Sequence, residues 1–169
     1  ETPAAERWTQ FWANHFCVAA TKGSMLALVW PHEYEAIRPN AFTDFKTLLR
    51  AAVLHPAMLL YLDNAQSIGP DSLGGQRRKK GLNENLAREL LELHTLGVNG
   101  GYTQEDVTQT ARLLTGWTVG PRTDGKAGFV PVIHEPGAKT ILGKRYAEGP
   151  QALDQLLGDL CAHPSCARF

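Results

Sequence analysis

Apolar residues recur along most of the chain at steps of three and four, which is the spacing of one face of an α-helix. The first such segment starts at Thr2 and Pro3, because Thr can cap a helix and Pro is tolerated in its first turn. One face of this segment is rich in aromatic rings and consists of Trp8, Phe11, Trp12, His15, Phe16 and Ala19. The pattern predicts a first helix that packs this face into the core.

The same spacing predicts further helices downstream. They are expected from Met25, from Thr43 to His55, from Met58 to Leu62, over about 83–96 and 104–115, and from Leu153 to Leu160. Gly97 suits a left-handed helix cap, and Thr103 with Asp106 resembles a capping box. Residues 66–80 combine glycine, proline, serine and charge, which predicts a long flexible loop.

Two short β-prone runs, at 129–133 and 140–142, surround His134 and predict a small hairpin with this histidine at its tip. A length of 169 residues suits one domain. The predicted fold is therefore mainly α, a single bundle-like helical domain over 1–169 with one small β-hairpin near 128–142. The chain begins with Glu1 and ends where a new helix would start, so we expect a fragment of a longer protein.

Composition argues against two classes of partner. Seventeen basic residues balance seventeen acidic ones, so the general electrostatic attraction of a nucleic-acid binder is missing. No apolar run approaches the ~20 residues that cross a bilayer. We expect no nucleic-acid partner and no transmembrane segment.

The three cysteines, Cys17, Cys161 and Cys166, are an odd number and cannot all pair within the chain. Cys161 and Cys166 flank His163 with a spacing that matches no common zinc motif. A packing role at a helix end or a local disulfide is the simpler interpretation, and the redox state of the three thiols stays open.

Two residues break the apolar pattern of the first central helix. On a helical wheel, Glu89 and His94 both point into the arc of leucines, on opposite flanks of it. An unpaired carboxylate in that position costs several kcal/mol, so Glu89 needs a cation, a metal, hydrogen-bond donors or a raised pKa. Glu89 and His94 are the candidate catalytic residues.

Other histidines extend this candidate site. His15 sits near the middle of the aromatic arc of the first helix, where a satisfied core histidine is the more common situation. Imidazole and carboxylate groups from separate helices can bind a metal inside a bundle. The candidate ligands of a divalent transition metal are His15, Glu89, His94 and His134. Asn14 and Arg88 could support them from a second layer, although Arg88 is equally explained by an ion pair with Glu84.

Longer motifs carry a family resemblance. NENLARELLELHTLG at 83–97, GYTQEDV at 101–107, ARLLTGW at 111–117, WANHF at 12–16, HPAMLLYLDN at 55–64 and HEPGAKTILG at 134–143 resemble the Domain of Unknown Function 1800 family. The resemblance covers nearly the whole chain. It implies a large, mainly helical bacterial protein that often carries an export signal, and hence a periplasmic or secreted location. The family brings no established catalytic residues, and Glu135 stands where its members usually have Asp.

Two hypotheses of function follow. In the first, the chain is a helical core piece of an exported bacterial protein with a binding or assembly role, and its partners are the remaining parts of its own longer chain or another protein. In the second, it is a metal-dependent hydrolase or oxidoreductase with a His/Glu site between helices. The second hypothesis requires donor atoms that converge within ~2–3 Å of one point.

Overall fold

Helices make up most of the molecule, as predicted. The computed structural model describes residues 2–20, 23–78 and 81–168. Its α-helices are α1 (Pro3–His15), α2 (Val29–Pro31), α3 (Phe45–Val53), α4 (Pro56–Tyr61), α5 (Leu73–Arg78), α6 (Asn85–Glu92), α7 (Gln104–Leu114) and α8 (Gln151–Ala162). Its strands are β1 (Trp117–Val119), β2 (Ala127–Phe129), β3 (Lys139–Ile141) and β4 (Lys144–Tyr146). None of the described helices is long and apolar enough to cross a membrane.

Helix α1 begins where the sequence predicts, with the Thr2 hydroxyl accepting a backbone hydrogen bond as the helix cap. Its aromatic face is only partly in the core. Phe16 is fully buried and Trp12 packs against the core, whereas Trp8 and Phe11 are 44% and 52% exposed. The prediction that the whole face packs inward is therefore wrong for the first half of the helix.

The core is formed by the leucine-rich faces of α3, α6, α7 and α8. Helix α6 packs against α7, α3 packs against α8, and α7 also contacts β3. The leucines that are buried almost completely include Leu48, Leu49, Leu86, Leu90, Leu91, Leu113, Leu156 and Leu160. Since full burial of one leucine side chain contributes about 1.5–3 kcal/mol, these contacts dominate the stability of the fold.

Helix α2 continues directly into a π-helix over His32–Ile37 and a 3-10 turn over Arg38–Asn40. The π-helix is rare in proteins and tends to occur at functional positions. Its wider turn buries both His32 and Ile37 while Tyr34 stays 54% exposed. The apolar spacing predicted a helix here, but its π geometry is not visible in a pattern of period 3.6.

The stretch predicted as a long loop, residues 66–80, contains helix α5. Buried polar groups fix it: the Ser72 hydroxyl accepts from Gly75 N at 3.0 Å, and the Ser67 hydroxyl accepts from Asn83 N at 3.0 Å. The loop prediction is therefore wrong for Leu73–Arg78. Residues 79–80 lie outside the described part of the chain.

The β structure consists of two antiparallel hairpins in place of one. Strand β1 pairs with β2, with Trp117 opposite Phe129, and β3 pairs with β4, with Ile141 opposite Lys144. The two β-prone runs of the sequence thus belong to different hairpins, and His134 lies between the hairpins. The second hairpin is held against α7, because the backbone N–H of Leu142, the residue after β3, donates to Asp106 Oδ1 at 2.6 Å.

The turn between α6 and α7 follows the predicted chemistry. Gly97 has a φ of 80°, and Thr103 with Asp106 forms a reciprocal capping box at the start of α7. Helix α6 itself ends at Glu92, four residues earlier than predicted. The last turn is widened, because His94 N donates to the carbonyl oxygen of Glu89, five residues before it.

Candidate functional site

His15 and His94, two of the predicted site residues, come together in the structure. Their ring centroids are 6.2 Å apart, and His15 Nε2 donates to the backbone carbonyl oxygen of His94 at 3.2 Å. Phe16 lies against both rings, at centroid distances of 4.6 Å and 5.2 Å. The end of α1 is thereby attached to the widened last turn of α6.

The His94 imidazole is in the protein interior and uncharged at neutral pH. Only 5% of the residue is exposed, and its Nδ1 atom has no hydrogen-bond partner among the described residues. Burial, together with the nearby His15 and His32, lowers the pKa of His94 to about 3. The prediction that His94 points inward is confirmed.

A second histidine pair lies close by and was missed by the sequence argument. His32 and His55 are 3% and 8% exposed, and their rings meet edge to face at 5.1 Å. Burial and the neighbouring His55 lower the pKa of His32 to about 4. His55 Nδ1 caps α4 by accepting from Ala57 N at 3.2 Å, and its Nε2 lies 3.4 Å from Glu35 Oε2. The helix core therefore contains four histidines in two adjoining pairs.

Glu89 is less buried than the sequence predicts. It is half-buried. Burial is the main cause that raises its pKa, the charge of Glu92 raises the pKa further, and the charge of Arg88 lowers it. Within the described residues, Glu89 and the two imidazoles are not arranged to hold a metal ion together.

Because no side chain in the described part of the chain forms a hydrogen bond or ion pair with the Glu89 carboxylate, replacing its charge is expected to have little effect on stability. We expect Glu89→Gln to change the free energy of unfolding at pH 7 by no more than about 0.5 kcal/mol, towards higher stability. The matched control is Glu84→Gln, because Glu84 accepts from Thr108 and Gln104 at 2.7 and 2.8 Å, and its loss is expected to cost about 1 kcal/mol. Urea denaturation measures both. A cost above about 2 kcal/mol for Glu89→Gln contradicts this placement.

The two proposed supporting residues also lie apart from the histidines. Asn14 is exposed and accepts from Gln10 Nε2 at 3.4 Å. Arg88 donates to Gln104 Oε1 at 2.8 Å and forms the expected ion pair with Glu84 at 3.5 Å. Both side chains are therefore explained by surface contacts, within α1 for Asn14 and with Glu84 and the start of α7 for Arg88.

His134 was expected at the tip of a hairpin, but it is buried, and only 6% of the residue is exposed. Its Nδ1 donates to the Thr115 carbonyl oxygen at 2.7 Å, which leaves Nε2 as an acceptor. Lys139 Nζ lies 3.4 Å from that Nε2 atom and also donates to the backbone carbonyl oxygens of Glu135 and Gly137. Burial is the main cause that lowers the pKa of both His134 and Lys139. The segment 134–139 therefore folds around the buried ammonium group of Lys139.

Glu135 extends this network to the segment just before α5. Its backbone N–H donates to the Thr115 hydroxyl at 2.8 Å, and its carboxylate accepts from Asp71 N at 3.0 Å. Gly69 leaves the space that Glu135 occupies, since a Cβ atom there would lie 2.5 Å from the Glu135 backbone nitrogen. Lys139 and Glu135 therefore hold the segment before the second hairpin in place.

The four predicted metal ligands do not form one site. His15 and His94 are neighbours, whereas Glu89 and His134 have the separate surroundings described above. Within residues 2–20, 23–78 and 81–168, no group of three or more His, Cys, Asp or Glu side chains is arranged to hold a metal ion. The geometry does not favour the metal-dependent enzyme.

A pocket of about 310 Å³ lies beside His15. It is lined by Phe11, Trp12, His15, Phe45, Thr95, Cys161, Cys166 and Ala167. All three cysteines are free thiols, and the two near the C-terminus face this same pocket. Cys161 lies at the end of α8, as the sequence predicted.

Six large apolar side chains, between 44% and 68% exposed, lie on α1 and on the segment around the π-helix. We call them the aromatic surface, and they are Trp8, Phe11, Leu26, Trp30, Tyr34 and Phe42. Trp8 stacks on Phe11 at 5.5 Å and donates from Nε1 to the Ala41 carbonyl oxygen at 2.7 Å, which places it beside Phe42. Trp30 and Tyr34 are in ring contact at 6.0 Å.

Arg38 joins the two halves of this surface. Its guanidinium lies 5.1 Å from the centre of the Tyr34 ring and donates to both carboxylate oxygens of Glu6 on α1, at 2.7 and 2.8 Å. It also reaches Glu33 at 2.8 Å. Most large exposed apolar side chains of the described chain are therefore gathered in one region of the molecule.

Fold and site together define a helical domain with a histidine-containing core and an exposed aromatic surface. The family model described as "Protein of unknown function (DUF1800)" matches residues 1–169, so the chain belongs to the DUF1800 family, as its motifs indicated. The comparisons with curated proteins and with solved structures found no match.

Proposed function

We propose that this chain has an assembly role and docks through its aromatic surface onto another protein surface. The observation that supports this is the grouping of the exposed large side chains, Trp8, Phe11, Leu26, Trp30, Tyr34 and Phe42. Contiguous exposed apolar patches of this kind mark interaction sites in soluble proteins. Trp, Tyr and Arg are also the residues that contribute most to binding at protein interfaces.

The partner that fits this surface best is a second copy of the chain. The charged groups at the centre of the surface are paired within one chain, since Arg38 binds both Glu6 and Glu33. A two-fold axis can therefore place the apolar side chains of two copies against each other without leaving Arg38 as an unpaired charge. Seventeen basic and seventeen acidic residues leave no net charge to keep two copies apart.

Sedimentation equilibrium tests this proposal directly. The purified chain is expected to dimerise with a dissociation constant on the order of 10 µM, and the double variant Trp30→Gln, Phe42→Gln is expected to weaken the dimer about 100-fold. Both side chains are at least 65% exposed, so the variant is expected to keep the stability of the parent chain.

The control for this experiment is Val98→Gln, which removes a side chain of similar exposure on the turn between α6 and α7, outside the aromatic surface. It is expected to leave the dimer unchanged. A parent chain that stays monomeric up to about 1 mM overturns the proposal. So does a dimer that is weakened equally by Val98→Gln and by the double variant.

We further propose a periplasmic or secreted location, which rests on the family resemblance. Fractionation of cells that express the protein from its own gene tests this location, and recovery from the cytoplasmic fraction alone contradicts it.

A further inference from the structure

We infer that the pocket beside His15 binds an uncharged planar ring compound with a hydrogen-bond donor on the ring. The pocket is formed by the second half of α1, the start of α3, the turn after α6, the end of α8 and the segment that follows α8. Its volume of about 310 Å³ is at the lower end of the range for small-molecule sites, which suits one or two fused rings.

Aromatic side chains form the walls of the pocket. Phe11 meets Trp12 edge to face at 4.9 Å, and Trp12 meets Phe45 at 5.5 Å with the rings tilted by 34°. Further aromatic rings prefer to bind to such walls by offset stacking or edge to face. The sulfur atoms of Cys161 and Cys166 add polarisable contacts that are favourable at the edge of a ring.

The described residues that line the pocket carry no charge at neutral pH. Burial lowers the pKa of His15, so its imidazole is neutral. Burial raises the pKa of Cys161 to about 11 and also raises that of Cys166, so both thiols are protonated. A charged ligand would lose its hydration without gaining an opposite charge, which disfavours carboxylates and ammonium compounds.

The polar atoms of the pocket favour a donor on the ligand. The Thr95 hydroxyl donates its proton to the Leu90 carbonyl oxygen at 2.6 Å, and His15 Nε2 donates to the His94 carbonyl oxygen, so neither of these donors is left for a ligand. The two thiol sulfurs are weak acceptors. A ring that carries an N–H or O–H group therefore matches the lining better than a ring that carries only acceptors.

Protection of the thiols tests this inference on the chain as it exists. N-ethylmaleimide modification is followed by peptide mass spectrometry at 1 µM protein, below the expected dimer dissociation constant. Indole at twice its dissociation constant is expected to slow the modification of Cys166 about threefold, because only the unliganded third of the molecules can react. Cys17, which is exposed and outside the pocket, serves as the internal control and is expected to react at an unchanged rate.

Two comparisons define the ligand class and the site. Indole-3-carboxylate, the same ring with a charge, is expected to give no protection at the same concentration. Phe11→Ala is expected to weaken indole binding about fivefold, while Phe42→Ala, an exposed ring outside the pocket, leaves it unchanged. Equal protection by both compounds, no protection by indole, or equal effects of the two variants overturns the inference. A monomeric chain that still binds indole refutes only the assembly proposal.

Discussion

Replacing Lys139 with Met is expected to destabilise the protein by about 3–5 kcal/mol, which is a large part of the total stability of a domain of this size. The ammonium group of Lys139 supplies donors to two carbonyl oxygens, those of Glu135 and Gly137, and lies beside His134 Nε2. Met cannot donate a hydrogen bond, so these buried acceptors would stay unpaired. The residue is 2% exposed, so water cannot take the place of the ammonium group.

The matched control for Lys139 is Lys126→Met, because Lys126 is exposed and lies in the turn between β1 and β2. It is expected to change the free energy of unfolding by less than about 0.5 kcal/mol. Guanidinium denaturation measures both variants. A Lys139→Met protein within about 1 kcal/mol of the parent chain contradicts the structural role given to this lysine.

Acid is expected to destabilise the protein through the core histidines. In the folded chain the pKa is about 4 for His32 and about 3 for His94, whereas an unfolded histidine titrates near 6.5. Below pH 6.5 the unfolded chain therefore binds more protons than the folded chain, and stability falls as the pH falls towards these lower values. At pH 5 the loss is about 2 kcal/mol for each of the two histidines.

A single variant isolates this effect from the titration of carboxylates. His94→Leu keeps an apolar side chain in the core and removes a group whose Nδ1 has no hydrogen-bond partner in the described structure. The stability of this variant relative to the parent chain is expected to rise by about 2 kcal/mol between pH 7 and pH 5. Urea denaturation at the two pH values measures it. Parallel pH profiles for the two proteins would show that His94 does not carry the effect.

The fold class and the local helix signals could be predicted because they depend on neighbouring residues. The cap at Thr2, the left-handed Gly97 and the capping box of Thr103 with Asp106 are all present as expected. Each of these requires only a few consecutive residues of the right type. The inward direction of His94 followed in the same way from the helical period.

The predictions that were wrong concern features that depend on contacts between distant segments. The hairpins are paired locally, but the sequence does not show that the β-prone runs belong to two hairpins on either side of His134. Helix α5 is held by Glu135, which is 64 residues from the Asp71 backbone it binds. Glu89 was placed in the core by its helical direction, yet α6 leaves that flank half open.

Two further buried groups, His32 and Lys139, were not predicted from the sequence. His32 was not among the residues predicted to point inward, because a π-helix that turns it inward cannot be seen in the apolar pattern. Lys139 was noted only as part of a family motif and was given no role. Its burial depends on two carbonyl groups and an imidazole, whose positions the sequence does not show. A lysine two residues after a glycine, inside a family motif, was the signal that could have found it.

The most direct test of this account is a measurement of the protonation state of each histidine by long-range proton–nitrogen NMR correlation of the imidazole rings. The account predicts that His32 and His94 stay neutral at pH 5, and that His134 carries its proton on Nδ1. Imidazolium signals for His94 or His32 near pH 6 would contradict it, since these rings would then be in contact with water.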